Sequence, residues 1–549
     1  MTHNVLRILA LVVAAPVAAA LWPVEIAGGQ PPAGISKVPG VVIDHLPASS
    51  GSYVGSPSIA ILTEGDYVAS HDHFGPKTKE HESALTAVFR SADRGRTWKR
   101  ISAIQGQFWS TLFAHRGALY ILGTDKHHGN AIIRRSTDGG LTWTSPANSR
   151  TGLLRDNGQY HCAPVPVVEH AGRLWRGMER RDPPRGWGIT YCAGMLSVPV
   201  EADLLNAANW TFSNFLPSDK AWLGGTFGGW LEGNAVVARD GRVLDILRVD
   251  TAGYPEKAAI VDVSADGHTT SFDPSTGFVD FPGGAKKFAI RHDPKSDLYW
   301  SLATIVPKWH QGARKPGGVR NTLALCCSPD LRKWTVRCIL LYHPDTAAHG
   351  FQYVDWVFDG DDIIAACRTA YDDGLGGAHN NHDANFLTFH RIAGFRAKTM
   401  ADSVPFAEPP RVKVDLPQWL VTGHGWEMAA LGDGEKAFGN RNYVWKNVPA
   451  QFRGWRITRT RGGELAEIRV RAKRVAILHM ATNAAPKAMN LAGWEAVPEA
   501  TFHYTDKGRT KMAIYRRAVK AGEEVALPQG NWTGGLLLIP GEGSSGGNG

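Results

Sequence analysis

The chain has 549 residues, 43% of them apolar and 20% charged, which excludes a disordered or fibrous protein and leaves room for more than one domain. Its 61 glycines and 32 prolines suit many short turn-linked strands better than long helices, and its 19 tryptophans point to extensive aromatic packing, a ligand-stacking surface, or both. The net charge of +9 is spread thinly with no long basic run, which argues against nucleic acid as a partner.

The first element in chain order is a targeting segment at residues 1–20. Arg7 supplies a basic start, Ile8 to Ala15 an apolar stretch and Ala18-Ala19-Ala20 a small-residue cleavage site, so secretion or periplasmic delivery is expected. No other stretch approaches ~18 consecutive apolar residues, and no membrane span is expected after cleavage. Residues 21–49 read as an amino-terminal leader.

A repeat follows. Ser91-Ala92-Asp93-Arg94-Gly95-Arg96-Thr97-Trp98 recurs as Ser136-Thr137-Asp138-Gly139-Gly140-Leu141-Thr142-Trp143, 45 residues later. Ser328-Pro329-Asp330-Leu331-Arg332-Lys333-Trp334 is the same pattern shortened by one, and Ser264 to Thr269 is a weaker copy. The Asp can accept from turn N–H groups, Gly tolerates positive φ, and Trp folds back as an apolar plug. This S-x-D-x-G-x-T-W pattern, the Asp-box, is read as a structural staple. Six apolar hairpins, turning at Glu64-Gly65, Arg116-Gly117, Ala171-Gly172, Asp240-Gly241, Lys295-Ser296-Asp297 and Asp359-Gly360, predict six four-stranded blades. The expected fold is all-β, a six-bladed β-propeller over residues 50–395. A Pro-rich linker at 396–418 leads to an accessory β-sandwich at 419–540 and a flexible tail at 541–549.

Six cysteines lie in the middle of the chain, at 162, 192, 326, 327, 338 and 367, without C-x-x-C spacing. Cys326 or Cys327 bridging Cys338, Cys162 bridging Cys192, or buried free thiols all fit the sequence. No metal or cofactor is expected.

Counting back from each hairpin turn, and forward from it, brings one set of residues to a common rim. Asp72, Glu179 and Glu232 supply three carboxylates there. Arg248, Lys286 beside Lys287, and Gln107 join them, with Trp109, His161 and Tyr353 close by. Convergent carboxylates with aromatics suit cleavage of a glycosidic bond, one acid protonating the leaving oxygen while another group stabilises or attacks the anomeric carbon. His71 and His73 flank Asp72 on alternate positions, as a metal pair or as a network orienting the acid. Gln352 and Asp355 beside Tyr353, and Arg368 and Tyr371 at the end of the following strand, extend the set. His379-Asn380-Asn381-His382-Asp383 is a polar run that fits sugar hydroxyls, a divalent cation or local backbone. His127-His128 reads as a surface loop.

At these residues the chain resembles the Asp-box sialidase superfamily. Leu231-Glu232-Gly233-Asn234-Ala235-Val236-Val237-Ala238-Arg239-Asp240-Gly241, running on to Arg248, is similar to the family's fourth-blade motif. The resemblance implies that Glu232 assists a tyrosine nucleophile and that Arg248 and Arg320 belong to an arginine clamp for the substrate carboxylate. Gly55-Ser56-Pro57 stands where the family carries R-I-P, so the first clamp arginine is missing. The nucleophile tyrosine falls in strict register on Phe351, with Tyr353 two residues on and expected on the same strand face, and Asp72 takes the acid/base place only roughly. An incomplete clamp argues against sialic acid itself. A secreted glycoside hydrolase acting on another glycan is expected, with Asp72 or Glu179 as acid/base and Glu232, with Tyr353, on the nucleophile side. Alternatives are a polysaccharide lyase on uronic acids using His161 and Tyr353, or a non-catalytic carbohydrate-binding propeller.

Overall fold

The computed structural model describes residues 37–541 apart from 312–313, 409–410, 464–465 and 486–488. The expected targeting segment and the tail from 542 lie outside the described residues. Strands dominate, and the only helices among the described residues are short 3-10 turns. The protein is all-β.

Six main sheets follow one another from residue 53 to 392. Each starts with a hairpin at a turn foreseen in the sequence and adds outer strands. The fourth sheet is typical: Phe227–Val237, Val243–Thr251 and Lys257–Val263 pair in order. In the third sheet the inner strand is broken at Cys162-Ala163-Pro164. A separate small ladder of Tyr160–His161, Glu179–Arg181 and Tyr191–Cys192 stands beyond the break. The sixth sheet takes its outer strand, Val41–His45, from the amino-terminal side, where it pairs antiparallel with Phe386–Ile392. The residues assigned to a leader up to 49 therefore include a strand of the last sheet. The strand edge left by Phe386–Ile392 is covered by the start of the same unit.

Polar stitches between neighbouring sheets run through all six junctions. Leu112 N donates to Ser58 Oγ (2.9 Å), and Val165 N donates to Thr111 Oγ1 (3.1 Å). Gly233 N donates to Glu179 Oε1 (2.8 Å), and Ile290 N to Asn234 Oδ1 (3.1 Å). Lys287 Nζ donates to Val354 O (2.7 Å), and Ser58 Oγ returns to Asp355 Oδ2 (2.7 Å), closing the circuit. Apolar clusters fill the spaces between sheets. One, between the fifth and sixth, holds Trp300, Leu325, Phe351 and Trp356.

The repeated Ser-x-Asp turns join outer strands through their own side chains. Asp93 accepts from Thr97 N (2.9 Å), Ser91 Oγ accepts from Gly95 N (2.8 Å), and Trp98 Nε1 donates to Gly95 O (3.2 Å). Asp138, Ser136 and Trp143 repeat the arrangement. In the shortened copy Leu331 takes the left-handed conformation (φ 65°) where a full copy has Gly. All six cysteines are buried free thiols, so neither expected disulfide forms. Beyond 411, a four-stranded and a seven-stranded sheet share a core that includes Val421, Ile468, Met480 and Leu537. Arg461 from this unit pairs with Asp345 at 2.6 Å.

Asp355, expected to touch substrate, is wholly buried as one of the stitches. It accepts from Ser58 Oγ, Ile59 N (3.1 Å) and Trp356 N (2.9 Å), and pairs with Arg291 at 3.5 Å. Replacing it with Ala strands two backbone donors and takes the carboxylate partner from half-buried Arg291. Asp355→Ala is expected to lose about 3–5 kcal/mol of stability in denaturant unfolding, and Asp355→Asn less.

Candidate active site

The inner strands of the second, fourth and sixth sheets each slip register near one end, between Phe108 and Thr111, Leu231 and Asn234, and Gln352 and Asp355. At each slip one non-glycine residue has a left-handed backbone: Trp109 (φ 51°), Glu232 (φ 61°) and Tyr353 (φ 53°). Such a conformation costs about 1–2 kcal/mol, and a bulge re-aims its side chain. Strict alternation fails here. Phe351 points into the core between the fifth and sixth sheets, whereas Tyr353 faces a cavity, so the two do not share a face as expected.

That cavity, of about 280 Å³, brings together Asp72, Trp109, Tyr353, Arg248, Arg320 and Arg368 from the expected set. Asp72 Oδ2 accepts from Trp109 N at 2.9 Å, and its Oδ1 accepts from Ser56 N. Burial raises its pKa despite these donors, holding the carboxyl towards its neutral acid form. Gly55 is required beside it, because a Cβ there would lie 2.1 Å from Asp72 Oδ1. The acid thus occupies space that any side chain at 55 would need.

Arg248 Nη1 lies between Glu232 Oε2 (3.1 Å) and Tyr353 Oη (3.5 Å). Burial alone would lower the pKa of Arg248, but the Glu232 carboxylate and Tyr353 outweigh it and the shift is upward. Arg368 lies over the Tyr353 ring at 4.8 Å and Arg320 at 5.8 Å. Gln352 Oε1 accepts from Arg320 Nη1 (2.6 Å) and its amide donates to Asn381 O, so Gln352 positions the arginine from behind. Burial, with Arg248 and Arg368 nearby, brings Arg320 down to about 10, and burial also lowers Arg368. Three guanidiniums from three sheets crowd one mouth.

Several expected contacts do not reach it. Glu179 is fully buried behind the fourth-sheet bulge, accepting from Gly233 N and bound to His161 Nδ1 at 2.8 Å. Glu232 is itself buried, reaching the cavity through Arg248. His161 stacks on Tyr191 (4.5 Å) and meets Trp109 edge-on, behind the lining. Gln107 is spent on Ser110 and Arg134. Lys286 is sealed against Glu256 and Pro316 O, and burial lowers it to about 8. Tyr371 packs on His349 and Phe351. His71 and His73 lie on the opposite side of their strand from Asp72, His71 Nδ1 reaching back to Asp72 O (3.0 Å).

Glu80, His127 and Trp187 line the cavity without having been singled out as site residues, and His382 joins them from the polar run noted in the sequence. Burial raises the pKa of Glu80, and Asp72 adds to the effect. No motif marks it, because it comes from an irregular loop. His127, read as a surface loop, packs on Trp109 at 4.6 Å and stacks near Trp187, while its neighbour His128 is buried against the Tyr191 hydroxyl (2.7 Å). Trp187 is 48% exposed and forms an aromatic wall with these rings. His382, from the polar run after residue 378, accepts an edge contact with Tyr353 and carries Arg368 on its carbonyl.

No family model matches the chain, and no curated protein matches it. Solved structures with a similar course of the chain include sialidases, an α-L-arabinanase and α-L-arabinofuranosidases. The Hadza microbial sialidase Hz136 is 13% identical with a TM-score of 0.46, covering 66% of this chain and 69% of that one. An α-L-arabinanase of Penicillium chrysogenum complexed with arabinobiose is 14% identical with a TM-score of 0.41, covering 66% and 99%. A Trypanosoma rangeli sialidase in complex with sialic acid is 14% identical with a TM-score of 0.40, covering 89% and 82%. At these values the likeness says nothing about substrate or mechanism.

Behind the site, Asp245 is wholly buried, and among the described residues neither of its carboxylate oxygens has a hydrogen-bond partner. Burial, reinforced by Glu179, raises its pKa well above the usual carboxylate range. A raised folded-state pKa gives a contribution to stability that is full below about pH 4 and is lost as pH rises through the folded value. As the pH is raised from 5 to 8 the wild type is expected to lose stability relative to Asp245→Asn in urea unfolding, and an unchanged difference would contradict the raised value.

Proposed function

We propose that this chain is a glycoside hydrolase that removes a single terminal, carboxylate-bearing sugar. The carrying observation is the convergence of Arg248, Arg320 and Arg368 around Tyr353 in the cavity that also holds Asp72. Crowded, partly desolvated guanidiniums favour an anion, and planar forks match a carboxylate. The arginine missing at Gly55 is made up in number by Arg368 from the sixth sheet. This supports an anionic sugar more strongly than the sequence motifs do. A cavity at the lower edge of the usual range of about 300–1,000 Å³ suits one sugar ring better than a polymer segment.

In this reading the fold is a six-bladed propeller with a carboxy-terminal β-sandwich, and the segment at 1–20 directs export. Asp72, held towards its acid form, gives its proton to the leaving glycosidic oxygen. Tyr353 Oη attacks the anomeric carbon as the bond to the leaving oxygen breaks, and its proton goes to the Glu232 carboxylate on the other side of Arg248. Water then attacks the anomeric carbon and breaks the tyrosyl–sugar bond, Asp72 taking a proton from the water and the departing Tyr353 oxygen recovering its own from Glu232, so configuration is retained. Trp109, His127 and Trp187 form the apolar wall for the sugar face. His161 is bound to Glu179 behind Trp109, which disfavours the lyase reading.

The test is hydrolysis of 4-methylumbelliferyl glycosides. The α-ketoside of N-acetylneuraminic acid or the β-glucuronide is expected to be cleaved, and the neutral α-L-arabinofuranoside not. Tyr353→Phe is expected to lower kcat more than about 100-fold, and Arg320→Met to raise KM about 10–100-fold. Faster cleavage of the neutral glycoside by the wild type, or an unchanged KM in Arg320→Met, would refute the anionic reading. Because Asp72 must be protonated to act, activity should fall on the alkaline side, and Asp72→Asn should remove most turnover at every pH.

A further inference from the structure

Three side chains that the cavity does not use converge at the seam where the circuit of sheets closes. Tyr67–Phe74 turns Asp72 towards the cavity, so alternation sends His71 and His73 to the other side of the strand. There they meet Asp44 of Val41–His45, the strand that completes the sixth sheet. One ligand atom from each of the three lies within 4.8 Å of the others. Asp44 pairs with Leu387 immediately after a register shift of its strand.

Each of the three is held from behind by one hydrogen bond. His71 Nδ1 is 3.0 Å from Asp72 O. A carbonyl only accepts, so Nδ1 carries the proton and Nε2 of a neutral ring presents a lone pair. That Nε2 faces Asp44 Oδ2 at 2.8 Å, and a carboxylate also only accepts. Two acceptors at this distance need a positive charge between them, either a second ring proton or a metal ion. His73 separates the two cases. Its Nδ1 bonds Ser52 Oγ at 3.1 Å, while its Nε2 is buried with no partner among the described residues. A proton on His71 satisfies the first pair and leaves His73 Nε2 stranded, whereas a metal ion uses all three atoms. The remaining Asp44 oxygen accepts from His45 N at 3.0 Å. Ligating histidines elsewhere are oriented in the same manner, by an outer hydrogen bond on the second ring nitrogen.

We propose that Asp44, His71 and His73 form a site for a divalent transition metal, Zn²⁺, which ties the closing strand to the first sheet. Two imidazoles and one carboxylate are borderline nitrogen and oxygen donors suited to Zn²⁺, with water in the fourth position. The Asp44 side chain is 24% exposed, so the ion has an entry path from solvent. The site is independent of the sugar assigned to the cavity.

The full chain, dialysed against a chelator and desalted, is to be titrated with Zn²⁺ and its bound metal measured by mass spectrometry. One equivalent is expected in the wild type, lost in His73→Ala and in Asp44→Ala. It should be kept in His424→Ala, which removes the imidazole of a second Asp/Glu/His grouping near Glu408 and Glu467. Zn²⁺ should raise the melting temperature of the wild type by about 2–5 °C over the chelated protein and leave His73→Ala unmoved. His73 is half-buried, so its truncation tests the site with less risk to folding than that of the wholly buried His71. Absence of bound Zn²⁺, retention of a full equivalent in His73→Ala, or equal melting temperatures with and without the ion would overturn the proposal.

Discussion

Closure of the six sheets into one circuit depends on polar atoms that cross from each sheet to the next. Ser58 shows how economical the arrangement is. Its hydroxyl accepts from the second sheet and donates to Asp355 in the sixth, so one side chain serves two junctions. Apolar packing between sheets supplies the bulk of the cohesion, but it is non-directional and tolerates sliding. Buried donors and acceptors do not, since an unpaired one costs about 1–3 kcal/mol. The stitches therefore set the azimuthal and vertical register of neighbouring sheets, and with it the positions of the residues that end up at the mouth.

The inner strands carry the departures from regularity that shape the site. Trp109, Glu232 and Tyr353 occupy left-handed bulges at corresponding places in alternate sheets. Strain repeated at three related positions is held in place by the surroundings. Gly233 follows Glu232 with no side chain, because a Cβ there would meet Asp245 Oδ1 at 2.1 Å, and Glu179 grips its N–H. The buried carboxylates expected at the rim act here as supports for the bulge.

Electrostatically, the mouth pairs an acid pushed towards neutrality with a cluster of guanidiniums. Burial does both, raising the pKa of Asp72 and Glu80 and lowering that of Arg320 and Arg368. The arginines come from the fourth, fifth and sixth sheets and the acid from the first, so closure of the circuit brings the two kinds of charge to face one another. The seam at Asp44, His71 and His73 sits on the reverse of the strand that bears Asp72, and ordering of that strand serves both.

The hairpins, their turns and the Ser-x-Asp staples were legible in the sequence because they are local. Period-two alternation and turn chemistry act over fewer than ten residues. Asp72, Trp109, Arg248 and Arg368 were reached by counting along those hairpins, with Tyr353 close by, and Arg320 through the family resemblance. Counting failed where a bulge adds a residue, which is why Phe351 was aligned with the mouth, and in the third sheet, where the inner strand is broken, Glu179 was expected to open into it. Glu80, His127 and Trp187 come from loops, whose course is set by what they pack on. The strand Val41–His45 has its partner more than three hundred residues away, and nothing in its own sequence names that partner. Local sequence determined the elements and most of the residue types at the rim. Which of those side chains face solvent, and which are sealed as supports, was decided by contacts between sheets that only the closed tertiary structure brings together.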